Sequence, residues 1–241
     1  MILTANELSE ILLGGLTTNM KKSILNTQVI FSIAAVLVFF GCAQPEKKDI
    51  SESSDCMRML FAQDLEGLKE KTEECVRYRT EEGITLLMMA SSKGFYEIAE
   101  FLIEKGANVN SVNNVKQSAL HYAAVHKQPK MIQLLKANNA EIKPNNHGIT
   151  SLMTSIQMGT FEMVELHDPN FEDVNIRADD GWTAIYFAIR REDEKMLDFL
   201  LARGACINLK DDYKQTPLEF AKEVGWKKAV DKIKKGKTCN L

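Results

Sequence analysis

From residue 83 onward the apolar positions fall into short helical stripes, set in pairs and interrupted at regular intervals by Gly- and Asn-rich turns. In the first unit Thr85 supplies an N-cap oxygen, and Leu87 and Ala90 begin the buried stripe of one helix. Gly94 permits a tight left-handed turn, and Ile98, Ala99, Phe101 and Leu102 form the apolar face of a second helix. Gly106-Ala107-Asn108-Val109-Asn110 then predicts a glycine C-cap that leads into an extended finger. The same offsets return as Thr183, Ile185, Ala188, Met196, Leu197, Leu200, Leu201 and Gly204-Ala205-Cys206-Ile207-Asn208.

Five segments open in the same way, at spacings of 33, 32, 33 and 33 residues. They are Gly83-Ile-Thr-Leu-Leu-Met-Met-Ala90, Lys116-Gln-Ser-Ala-Leu-His-Tyr-Ala123, Gly148-Ile-Thr-Ser-Leu-Met-Thr-Ser155, Gly181-Trp-Thr-Ala-Ile-Tyr-Phe-Ala188 and Lys214-Gln-Thr-Pro-Leu-Glu-Phe-Ala221. A unit of this length cannot bury its apolar face alone, so it must stack on copies of itself. The fold expected is an all-α repeat solenoid of five to six units, caps included. Repeat two carries Lys127 and Asn139 where glycines are expected. In repeat three His167, Asp168 and Pro169 occupy the end of the second helix; Pro169 should stop that helix early and make this unit the weak joint. Residues 54–82 predict a degenerate helical pair as an N-terminal cap, with Met57, Leu60, Phe61, Leu65 and Leu68 apolar. Residues 214–241 predict a last pair and tail, with Pro217 at the first helical position and lysines outward.

The unit resembles the ankyrin repeat, whose opening motif is Thr-Pro-Leu-His-x-Ala. Thr216-Pro217-Leu218 keeps three of those letters together and His121 keeps the histidine. The likeness runs over roughly residues 54 to 236, with repeats at 83–115, 116–147, 148–180, 181–213 and 214–241. It implies that His121 bonds to turn backbone and to Ser118. It also implies that partners bind the fingers and the concave face of the first helices. Carried over by position, the contact residues expected are Ile84, Gln117, Val125, His126, Ile149, Met158, Arg177, Trp182, Arg190, Arg191, Tyr213 and Gln215. Trp182 has a second reading, as a shield for the neighbouring repeat.

Residues Val29 to Phe40 form an apolar run interrupted only by Ser32, preceded by Lys21 and Lys22 and ended by Gly41-Cys42. That is short for a membrane span and suits the hydrophobic region of a secretory signal. Its Gly-Cys ending resembles the lipobox of bacterial lipoproteins, with Phe39 where leucine is usual. The resemblance implies a signal over 20–41, acylation of Cys42 and a polar tether over 42–53; an uncleaved signal anchor is the alternative. Met20-Lys-Lys makes a better signal start than Met1, and residues 1–19 read as an upstream extension. Ala43 is not the aspartate of the inner-membrane retention pattern, which favours the outer membrane or the periplasmic face.

Composition adds exclusions. The chain is 45% apolar and 26% charged with a formal charge of -3, and no basic-aromatic pattern points to nucleic acid. Lysines 227, 228, 232, 234, 235 and 237 form one basic cluster, read as a solvated last helix. No H-E-x-x-H, C-x-x-C, G-x-S-x-G or phosphate-loop pattern occurs. The acidic pairs Asp179-Asp180 and Asp211-Asp212 read as turn-setting residues at finger tips. The expectation is a monomer with no catalytic residues, no metal, no cofactor and no small-molecule substrate.

Cys42 is assigned to lipid, leaving Cys56, Cys75, Cys206 and Cys239. Cys56 and Cys75 lie at adjoining ends of the cap hairpin and are expected to pair. Cys206 and Cys239 lie one period apart, and stacked helices at about 8–10 Å exceed the reach of a disulfide; a bond would need the C-terminal tail to bend back, and free thiols are the first expectation there. The function expected is a lipid-anchored module that docks an unidentified protein in the bacterial envelope. The alternatives are an accessory factor for a periplasmic enzyme in oxidative-stress defence, or a thiol redox protein using Cys206 and Cys239.

Overall fold

A computed structural model describes residues 55–236 and 238–239. The signal, Cys42 and the tether lie outside the described residues. Those described form fourteen helices and no strand beyond two isolated bridges, Arg79 with Thr85 and Val112 with Ser118. Four full helical pairs follow the N-terminal cap: α4 (Leu86–Lys93) with α5 (Tyr96–Glu104), α6 (Ala119–Val125) with α7 (Pro129–Ala137), α8 (Ser151–Met158) with α9 (Phe161–Leu166), and α11 (Ala184–Arg190) with α12 (Glu194–Ala202). The last pair is α13 (Pro217–Val224) and α14 (Lys227–Ile233). First helices pack on first helices and second helices on second helices, which gives two layers. The fold is an ankyrin-type stack.

Small side chains set the spacing of the inner layer. Ala90, Ala123, Ser155, Ala188 and Ala221 recur at one position and are wholly buried, so neighbouring first helices approach closely. Leu120, Leu152 and Ile185 fill the space beside them. Each first helix starts on a hydroxyl: Thr85, Thr150 and Thr216 accept from the backbone N–H of Met88, Met153 and Glu219.

Fingers join through their backbones. The N–H groups of Asn114, Asn146, Asp179 and Asp212 donate to the carbonyls of Glu82, Val115, His147 and Asp180, each on the preceding finger. The residue that opens each repeat turns the chain with a positive φ: Gly83 79°, Lys116 59°, Gly148 71°, Gly181 80° and Lys214 65°. At Gly148 there is also no room, because a Cβ would lie 2.5 Å from Ala178 Cα and 2.8 Å from the Arg177 carbonyl oxygen. Gly106, at φ 91°, has nothing within 4 Å of the same point. Gly106→Ala should therefore cost only the left-handed backbone, about 1–2 kcal/mol. Gly148→Ala adds overpacking against backbone that cannot yield and should cost about 3–4 kcal/mol, read by urea unfolding at neutral pH. Equal costs for the two would contradict this packing.

Repeat three departs as its sequence indicates. Its second helix is shorter than those of repeats one, two and four, ends on His167 and is followed by Asp168 at φ 40°, Pro169 and an additional short helix, α10 (Phe171–Asn175). The turn between its helices lacks the left-handed residue of its neighbours, for Gly159 has φ -93°. Three of the four buried polar side-chain atoms without a partner among the described residues, Ser151 Oγ, Ser155 Oγ and His167 Nε2, belong to this repeat. Unpartnered polar groups in a dry interior cost stability, which makes repeat three the strained unit.

Two expectations are corrected. The cap is three helices, not a pair: α1 (Asp55–Ala62), α2 (Leu65–Glu70) and α3 (Thr72–Arg77). Its second helix breaks at Lys71, where the Thr72 hydroxyl donates to the Lys69 carbonyl at 2.8 Å and competes with the backbone ladder. The Lys71 ammonium meets Asp55 of α1. Second, Cys206 and Cys239 are bonded, not free, with Cα atoms 5.5 Å apart. The helix spacing does not apply, because Cys206 lies in the turn after α12 and Cys239 in the tail after α14. Asn208 folds that tail back, exchanging two hydrogen bonds of 2.8 and 2.9 Å with the backbone of Cys239. Cys56 and Cys75 are also joined, with Cα atoms 5.3 Å apart. The basic face of α14 is partly paired, Lys228 with Glu194 and Lys232 with Glu194 and Asp198 of α12.

Candidate partner-binding surface

The fingers are shaped from within by short polar side chains. Asn113 Oδ1 accepts from the N–H groups of Val115 and Gln117, and Asn145 Oδ1 from those of His147 and Ile149. Asp211 holds Gln215 N–H, and Thr80 holds Ile84 N–H. Ala178 occupies this position in the fourth finger and has no such oxygen, so Asp180 takes over Trp182 N–H at 3.0 Å. The acidic pairs thus supply turn oxygens.

These turns align Ile84, Gln117, Ile149, Trp182 and Gln215 in a half-buried row at the finger bases. The apolar members of the row rest on the core. Val125 and Met158 are half-buried near the ends of α6 and α8, while His126, Arg177 and Tyr213 are exposed. Partial burial, then the charge of Lys93, holds the His126 imidazolium below its ordinary pKa, which places the two side chains near each other on adjacent repeats.

The aromatic end is tied up internally. Trp182 stacks on Tyr186 at 5.6 Å, meets Phe187 edge-on at 5.4 Å and Phe220 at 5.0 Å. Arg190 covers its face at 5.0 Å. Such ring pairs each contribute about 0.5–1.5 kcal/mol beyond burial, so Trp182 welds repeat four to repeat five. Arg191 donates to the carbonyls of Ile156, Gln157 and Gly159 at 2.9, 2.9 and 3.3 Å. It caps the end of α8, where the left-handed turn is missing.

The motif histidine has a counterpart that sequence inspection missed. His121 Nδ1 accepts from Ser118 N–H, so Nε2 carries the proton and donates to the Ile149 carbonyl of the next repeat at 3.1 Å. Tyr186 stands at the same position in repeat four, and its hydroxyl reaches Gln215, the residue equivalent to Ile149, and Leu209, both at 2.7 Å. Different chemistry meets the same acceptor. The register of the repeat was the signal available.

Among the described residues no group of three or more His, Cys, Asp or Glu is arranged to hold a metal ion, and no helix is long and apolar enough to cross a membrane. Cys206 is wholly buried, whereas its partner Cys239 is half-buried.

The chain belongs to the ankyrin repeat family, matched in three overlapping stretches at residues 50–147, 87–172 and 152–240. Folds of this family are typically non-catalytic scaffolds for protein-protein interaction. The chain is 25% identical over 177 residues to an L-asparaginase of Dirofilaria immitis, covering 72% of this chain and 30% of that protein. It is 28% identical over 161 residues to protein glp-1 of Caenorhabditis elegans, covering 61% of this chain and 12% of that protein. It thus spans less than a third of the length of either. In the solved complex of the predatory endopeptidase Bd0816 of Bdellovibrio bacteriovorus with the immunity protein Bd3460, one chain matches at TM-score 0.64 and 26% identity. That match covers 77% of this chain and 99% of the other.

Proposed function

We propose that this ankyrin stack is a lipid-anchored docking module of a bacterial envelope, held at the membrane through Cys42 and binding a protein with its fingers and inner helices. Cysteine usage carries the proposal. Four of the five cysteines are joined in two disulfides, as suits an oxidising compartment, and the fifth is Cys42 at the end of the apolar run. Acyl chains at that position give stable anchoring at about 0.8 kcal/mol per buried methylene. Mass spectrometry of the membrane fraction should find an acylated Cys42 as the mature N-terminus. Cys42→Ala should leave the protein soluble or unprocessed. An intact, unacylated N-terminus in the membrane would replace the lipid anchor with a signal anchor.

A second reading, that the docked protein is an envelope enzyme which this chain assists or restrains, draws on the solved endopeptidase and immunity-protein complex. Under it, the protein retained from an envelope extract by the immobilised chain changes hydrolytic activity when the chain is added.

A further inference from the structure

α3 stops at Arg77, and a groove of about 560 Å³ lies between the cap and the end of α5. Arg77, Arg79 and Lys105 line it, and no aspartate or glutamate does. Its accessible apolar wall is Val76 and Ala107, with Leu102 buried behind them. The groove shares no residue with the row from Ile84 to Gln215.

Arg79 is fixed in advance. One guanidinium nitrogen donates to the carbonyls of Gly83 and Val112 at 3.3 and 3.2 Å, and another to Ser111 Oγ at 3.0 Å. Arg77 and Lys105 sit where α3 and α5 end, and cations commonly offset helix dipoles there. The magnitudes do not cancel. Two helix C-termini supply at most about -0.5 charge each against three full positive charges, so the groove stays positive by about two. Their last carbonyls are also capped by backbone, Cys75 O by Tyr78 N–H and Leu102 O by Ala107 N–H.

We propose that this groove takes a carboxylate-bearing peptide segment of a partner protein, its acid against the cations and an adjoining apolar side chain on the wall. Guanidinium groups match carboxylates in a two-pronged geometry, and the volume lies in the range of ligand pockets. An anionic bilayer is the poorer occupant. Residues 55–82 carry eight acidic and five basic side chains, so the cap around the groove is net negative and would be repelled by such a surface. The proposal deepens the docking role and rests on it, but not on the acylation of Cys42.

The test is fluorescence polarisation of a labelled pentapeptide with two glutamates and a free C-terminal leucine, titrated with the intact chain in detergent. Saturable binding should weaken about ten-fold in the double variant Arg77→Glu/Lys105→Glu, the sum of two reversed surface ion pairs. It should fall by less in Arg77→Gln/Lys105→Gln, the milder pair, and both variants should remain folded at the assay temperature, with the glutamate pair lower in thermal midpoint because it places acids at two helix C-termini. Lys93→Glu/Lys127→Glu, at the end of α4 and in the turn after α6, should leave it as it was. Equal binding of the glutamine, C-terminally amidated peptide overturns the proposal, as do absence of saturable binding and loss only in the Lys93/Lys127 variant. Displacement of the peptide by phosphatidylglycerol vesicles from the wild-type groove would reassign it to lipid. None of these results depends on the lipid anchor, whose failure shows only in the mass of the mature N-terminus.

Discussion

Reduced with excess dithiothreitol at neutral pH, the protein should lose about 7 kcal/mol of unfolding free energy, which for many domains is most of what they have. The two bonds close loops of 19 and 33 residues. Chain-entropy reasoning assigns about 3 and about 4 kcal/mol to loops of those sizes. Both sit where a stack is most exposed to fraying. Cys56–Cys75 ties α1 to α3 in the cap, and Cys206–Cys239 draws the tail back to the turn after α12. End units have a neighbour on one side only, so they gain most from a covalent tie. Urea unfolding with and without reductant measures the total, and Cys56→Ser and Cys206→Ser apportion it. A change below about 1 kcal/mol would mean that neither bond constrains the unfolded chain.

Acidification should act in a different window. Burial pushes the pKa of both His121 and His167 down to about 4, with the hydrogen bonds to Ile149 and Met163 opposing it. Above about pH 6.5 both are neutral whether folded or unfolded and contribute no pH dependence. As pH falls below that value the unfolded chain takes up protons that the folded chain refuses. Stability then declines by about 1.4 kcal/mol per pH unit for each histidine, until the folded state also protonates near pH 4. The loss approaches about 3 kcal/mol each. Carboxylates with lowered pKa, such as Glu82, Glu194 and Glu219, take their toll only below their unfolded values, at lower pH. Unfolding free energies between pH 7 and 5 should therefore slope steeply, and His121→Gln should halve the slope. A flat profile would mean that these imidazoles are hydrated.

Much of the architecture was legible because the repeat states its rules several times. The hydroxyl before each first helix, the left-handed turn at Gly94 and the truncation at Pro169 follow from single residues whose chemistry leaves few choices. Lys127 and Asn139 occupy glycine positions and take the glycine conformation, with φ 53° and 62°. The rest depends on residues far apart in sequence. Arg191 crosses into repeat three because α8 lacks its usual closure, a vacancy visible only in three dimensions. Tyr186 replaces a histidine because its hydroxyl happens to reach the same carbonyl. The tail disulfide requires the chain end to bend back, and the two Asn208 hydrogen bonds that hold it there are visible only in the structure. The surface row was readable as positions, whereas the groove beside Arg77 gathers residues from the cap, α5 and a finger that only the fold brings together.

Some side-chain bonds that close one unit reach into the unit after it, and this bears on how the chain comes together. His121 needs the carbonyl of Ile149, α8 needs the guanidinium of Arg191, and Tyr186 needs the carbonyl of Gln215. Repeats two, three and four each complete such a bond with the repeat after. A ribosome delivers the N-terminal units first, so each of these three must wait for its successor. The third, with the most unpartnered polar atoms, waits on an arginine some 35 residues behind the carbonyl it will cap. Closure of these repeats therefore lags their synthesis, each finishing its bonds only once the following repeat has been made.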